Sequence, residues 1–94
     1  MRSVINITDL SIEEILELTE VAADIESNPE KYSNACKGKK LATLFYEPST
    51  RTRLSFEAAM YELGGQVIGF SDASNSSTVK GEGIFDTAKV ISCY

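Results

Sequence analysis

Arg51 and Arg53 stand in the run Ser49-Thr-Arg-Thr-Arg53, directly behind Glu47-Pro48 and ahead of a segment with helical periodicity. Three hydroxyls and two guanidiniums within five residues suit an anion. Backbone N–H groups at a helix start are unpaired, and arginine pairs bidentately with phosphate. The positive end of a helix also disfavours cations, so arginines there need a negative partner. The helix supplies none in its first turn. Thr52, not Glu or Gln, lies three residues after Ser49, so the reciprocal capping box is absent although Ser49 is a plausible cap. Residues two apart on a helix point roughly 200° from each other, so only one arginine leans over a bound anion. Arg53 has Glu57 at i+4, a partner expected on the exposed side. That leaves Arg51 for the ligand and gives Arg53 a mainly structural role. The competing reading is a polar helix cap without a ligand.

A second cation, Lys80, follows the hydroxyl-rich stretch Ser71-Asp-Ala-Ser-Asn-Ser-Ser-Thr-Val79 and precedes Gly81 and Gly83. Glycines of this kind let a loop close over an anion, although an ordinary exposed lysine is the bland alternative. The chain has no histidine, which removes Ser-His-Asp, Cys-His and zinc-hydrolase chemistry from it. Cys36 and Cys93 are far apart and read as buried or partly buried free thiols rather than a disulfide or metal site. The net charge of −5 argues against a nucleic-acid or membrane binder. No basic-then-apolar leader and no membrane-length run is present, so a cytoplasmic location is the simplest expectation.

The elements that would hold these residues follow from periodicity. Ser11 to Glu26 reads as a helix, with Ser11 and Glu14 as a capping box, and Leu10, Ile15, Leu18 and Ala22 on its apolar side with Leu16 and Ala23 beside them. Glu13, Glu14, Glu17 and Glu20 read as a solvated face, and Asn28-Pro29 as the end. Leu41 to Tyr46 is apolar throughout, as in a strand covered on both faces. A helix from about Thr50 to Leu63, stopped by Gly64-Gly65, leads to a second strand, Gln66 to Phe70. This order predicts an α/β fold: a parallel sheet with flanking helices, built from a βαβ unit. Ligands of such sheets sit beyond the carboxyl ends of the strands, where Ser49–Thr52 and the Ser71–Lys80 loop both fall. Ile84, Phe85, Ala88 and Ile91 form the apolar side of a last helix. That pattern reaches Tyr94 without a stop signal and the two strands leave open edges, so the 94 residues are expected to be the front portion of a longer protein.

"FYEPSTRTRLSFEAAMYELGG", followed by "GFSDASNSSTVKGEGIFDTAKVIS", resembles the carbamoyl-phosphate domain of aspartate carbamoyltransferase catalytic chains, in the aspartate/ornithine carbamoyltransferase family. The likeness runs across nearly the whole chain. It implies an incomplete N-terminal portion of a doubly wound carbamoyl-phosphate domain over residues 1–94, with the aspartate-binding domain absent. It further implies that Ser49, Thr50, Arg51 and Thr52 hold the phosphate of carbamoyl phosphate and that Thr52 reaches the carbonyl oxygen. Lys80 and either Ser76 or Ser77 (Ser77 is carried forward) match a loop that enters the neighbouring subunit's site, Lys80 touching phosphate and L-aspartate. Glu82 matches a position that pairs with the phosphate-binding arginine across that contact.

The implied reaction transfers the carbamoyl group to the α-amine of L-aspartate, toward pyrimidines, with Arg51, Thr52 and Lys80 as catalytic residues. It needs no cofactor or metal. The implied assembly is a homotrimer with shared sites, with regulatory chains as further partners. This length alone is expected to lack transferase activity and to bind phosphate weakly. Ornithine carbamoyltransferase and a non-catalytic phosphate-binding module are the alternatives.

Overall fold

The computed structural model describes residues 2–70 and 83–94, in two units, Met1–Tyr32 and Ser33–Tyr94.

In the first unit a 3-10 turn, Ile7–Asp9, precedes α1, Ile12–Ser27, and a second 3-10 turn, Pro29–Tyr32, follows it. The capping box forms as expected. Glu14 N–H donates to Ser11 Oγ at 3.1 Å, and Ser11 N–H donates to Glu14 Oε1 at 3.0 Å. Glu14 therefore belongs to the cap, where it also receives the Arg2 guanidinium, and is not simply part of a solvated acidic face. At the other end Asp24 accepts hydrogen bonds from Asn28 Nδ2 at 2.9 Å, Lys31 Nζ at 3.0 Å and the Tyr32 hydroxyl. One carboxylate thus ties the last turn of α1 to the 3-10 turn behind it. The apolar stripe is less covered than its periodicity predicts, with Leu16 and Leu18 exposed and Ile15 half-buried. A single long helix with two short turns offers no second layer within its unit to bury such a stripe.

The second unit runs β1 (Lys40–Leu44), α2 (Thr50–Glu62), β2 (Gln66–Phe70) and α3 (Ile84–Ser92). The strands pair in parallel, from Lys40 opposite Gln66 to Leu44 opposite Phe70, and α2 lies against both. The α2 stop follows the glycine pair. Gly64 adopts φ +85°, its N–H bonds to Tyr61 O and that of Gly65 to Met60 O, both at 3.0 Å. This is the Schellman arrangement, and it needs the left-handed conformation that glycine takes without strain.

Two expectations change here. β1 is not covered on both faces: Thr43 alone is buried among its residues and the rest are half-buried or exposed, because a two-stranded sheet carries a helix on only part of its surface. Phe85, assigned to the apolar side of the last helix, is 89% exposed, whereas Thr87 is buried at 6%. α3 runs to Ser92 with Cys93 in the C-cap position. Cys93 N–H reaches Val90 O at 3.1 Å and Tyr94 N–H reaches Ile91 O at 3.0 Å, so a tightened i→i+3 turn satisfies the last carbonyls without glycine. Both thiols are free, as expected, but Cys93 is exposed while Cys36 is half-buried.

Candidate anion site at the start of the second long helix

The site begins where β1 ends. Pro48 biases Glu47 away from helix, and the chain turns into α2 at Ser49. Ser49 occupies the N-cap position with φ −146° and ψ 58°, and its carbonyl accepts Arg53 N–H at 2.9 Å. Its hydroxyl makes no capping hydrogen bond, so the expectation of a serine side-chain cap is corrected. With ψ at 58° the residue lies outside the extended region from which a serine side chain reaches back over the first turn. No acidic residue stands in that turn. The N–H groups at this end are therefore left to water or a ligand, in the field of the helix dipole.

Thr50, Arg51 and Thr52 are exposed around this end, and Ser49 is half-buried. Among the described residues Arg51 makes no ion pair. Arg53 is held, as the spacing predicted. Its Nη1 lies 3.1 Å from Glu57 Oε1 and 3.2 Å from Oε2. The pair does not stand on the exposed side, however. The half-buried positions of α2 are Arg53, Glu57 and Met60, with Leu63 at its C-cap, while Leu54, Phe56 and Tyr61 face outward with 49–60% exposure. The packed side of this helix is charged at its N-terminal half, an arrangement that binary patterning does not reveal.

The reason is a third group. The buried Thr43 donates its Oγ1–H to Glu57 Oε2 at 2.9 Å, giving the carboxylate a partner on the sheet as well as on its own helix. Sequence reasoning missed both this role of Glu57 and Thr43 itself. The available signal was one hydroxyl inside the otherwise apolar Leu41–Tyr46 run.

Ser49, Thr50, Arg51 and Thr52 are thus brought together at one helix end. Lys80, Ser76, Ser77 and Glu82 lie outside the described residues. The hollow beside β1, about 230 Å³ and lined by Leu41–Phe45 and Phe56, holds no cation and does not suit an anion. Among the described residues no three His, Cys, Asp or Glu side chains gather as a metal ion would require, and no helix is long and apolar enough to cross a membrane.

The family described as "Aspartate/ornithine carbamoyltransferase, carbamoyl-P binding domain" matches residues 2–94. The aspartate carbamoyltransferase catalytic subunit of Clostridium novyi is 60% identical over 93 residues, covering 99% of this chain and 30% of that protein. That of Lachnoclostridium phytofermentans is 57% identical over 94 residues, covering all of this chain and 31% of its own. Among solved structures, the catalytic subunit of M. jannaschii aspartate transcarbamoylase superposes over the whole chain and 32% of its own, with TM-score 0.86 and 50% identity. Ornithine transcarbamoylase from Giardia lamblia covers 81% of this chain and 24% of its own, with TM-score 0.64 and 34% identity. The chain spans about 30% of the length of the curated relatives it matches.

Proposed function

The chain belongs to the aspartate/ornithine carbamoyltransferase family, matching its carbamoyl-phosphate-binding domain, and we propose that it supplies the phosphate-holding part of an aspartate carbamoyltransferase site. The observation that carries this reading is the start of α2: a helix N-terminus with no side-chain cap and no first-turn carboxylate, flanked by hydroxyls and Arg51. A phosphate dianion fits those unmet donors. The higher identity to proteins named for aspartate than to the ornithine structure supports the choice of acceptor.

In the proposed reaction the first-turn N–H groups, Ser49, Thr50 and Arg51 hold the phosphate of carbamoyl phosphate, and Thr52 donates to the carbonyl oxygen. The neutral α-amine of L-aspartate attacks the carbonyl carbon. The tetrahedral intermediate loses a proton from nitrogen and expels phosphate, giving N-carbamoyl-L-aspartate. Charge grows on the leaving oxygen, where Arg51 and the helix end stabilise it, and positioning supplies much of the remaining acceleration. Lys80 would orient both substrates and Ser77, or Ser76, would touch the phosphate, each from a neighbouring subunit of a homotrimer. Glu82 would pair with Arg51 across that contact. The groups that choose the acceptor are read as lying outside this domain. Regulatory chains, a cytoplasmic location and a place in pyrimidine synthesis belong to the same reading.

The test is Arg51→Ala, with the ¹⁵N-labelled chain titrated with a phosphonate mimic of carbamoyl phosphate. Removing one charge-assisted contact should weaken binding by about 1.5–3 kcal/mol. Unchanged affinity, or shifts confined to residues away from Ser49–Thr52, would overturn the reading.

A further inference from the structure

The link between Arg53, Glu57 and Thr43 runs from the end of the first turn of α2 to the middle of β1, and Arg53 directly follows the residues of the proposed cradle, Ser49–Thr52. Its members are not surface decoration. Thr43 is 4% exposed, and the side chains of Arg53 and Glu57 are 27% and 18% exposed. The backbone around Thr43 is equally constrained. Gly69, its partner on β2, has φ +142°, and a Cβ there would stand 2.0 Å from Thr43 O. Arg53 Nε is buried with no hydrogen-bond partner among the described residues, so Glu57 is the group that balances this guanidinium. A charge so placed, if left unpaired, is costly enough to move the helix toward water.

We propose that Glu57 is a positioning residue for the anion site, holding the start of α2 at the end of β1 by binding Arg53 and Thr43 together. Arg53 is then a neutralised anchor on the sheet side, and Arg51 is the one cation of the motif available to the ligand. The two arginines have opposite duties, and Glu57 keeps them apart. This inference rests on the reading of Ser49–Thr52 as a phosphate site.

The experiment follows the amide shifts of Thr50–Thr52 in the ¹⁵N-labelled chain as inorganic phosphate is added, with thermal midpoints measured in parallel. Glu57→Gln keeps the shape and an acceptor for Thr43 but leaves Arg53 unbalanced. Phosphate affinity should fall roughly ten-fold, the scale on which outer partners affect the ligand groups they orient. Arg53→Gln/Glu57→Gln removes both charges and should recover most of the lost affinity. Thr43→Val, the mildest variant, should weaken binding by a smaller factor while the fold is kept.

A pair that merely stabilised the fold would lower the midpoint and leave the affinity of the folded molecules unchanged. That result, in Glu57→Gln or in Thr43→Val should the former not fold, overturns the inference. If the unsubstituted chain showed no phosphate-dependent shifts at Thr50–Thr52, the site reading itself would fail and take this inference with it. Loss of binding in Arg51→Ala with none in Glu57→Gln would sink the positioning role alone.

Discussion

The two long helices of this protein both begin after a serine, and they begin in opposite ways. At α1 Ser11 and Glu14 satisfy one another's backbone N–H groups, and Arg2 closes over the Glu14 carboxylate. At α2 the serine hydroxyl caps nothing, the N3 residue is Thr52, and a guanidinium stands where α1 has a carboxylate. Local chemistry would favour the first arrangement in both places, since acidic groups stabilise a helix start and cations do not. An end that forgoes those stabilising groups, while presenting hydroxyls and Arg51, is an end available to an external anion. The difference separates a helix start closed by its own side chains from one whose first-turn donors no side chain of the helix meets.

The strongest way to break this contrast is to give α2 the cap that α1 has. Thr52→Glu places a carboxylate at N3, so phosphate affinity at Thr50–Thr52 should fall by roughly ten-fold or more through repulsion and competition for the same donors. The same change should raise the thermal stability of the free chain slightly, by about 0.3–1 kcal/mol. Retained phosphate affinity would mean that the first turn of α2 does not bind the anion. A smaller effect separates the two serines. Ser11→Ala should cost about 1 kcal/mol in chemical denaturation. Ser49→Ala should stay within about 0.5 kcal/mol, because no capping bond is lost. Equal costs would erase the distinction between the two starts.

The subtlest test is acid titration. The Arg2 guanidinium, helped by Ser11 N–H, holds Glu14 down to about 2 from its ordinary 4.5. Tyr32, with Lys31 and Asn28, holds Asp24 down to about 2 as well. Both groups have folded values below their unfolded ones. Their stabilisation is therefore complete above the ordinary carboxylate range and is lost as pH falls through about 2. The Ser11 and Glu14 amide shifts should titrate together with a midpoint near 2, and helix signal from α1 should decline over the same interval. A midpoint near 4.5 would show that the cap carboxylate is not held.

Much of this arrangement was legible in local sequence. The capping box at Ser11, the glycine stop at Gly64, both strands and the pairing of Arg53 with Glu57 follow from spacing over a few residues, where one side chain meets a fixed backbone position. The burial of those residues was less legible. Phe85 and Leu16 fit an apolar periodicity yet lie in solvent, while Arg53 and Glu57 read as a surface pair yet line the packed side of α2.

The sequence by itself determined the donor set at residues 49–52, the lack of a carboxylate in the first turn of its helix and the order strand, helix, strand that brings it to one end of a parallel sheet. Only the tertiary structure decided that the Ser49 hydroxyl stays out of the cap and that the Thr43 hydroxyl reaches Glu57 across fourteen residues of chain. Periodicity reports which positions share a helix face, because rise and turn are fixed by backbone geometry. It does not report which face meets a neighbour, because that depends on groups distant in sequence whose hydrogen bonds exist only once β1 and α2 are packed together.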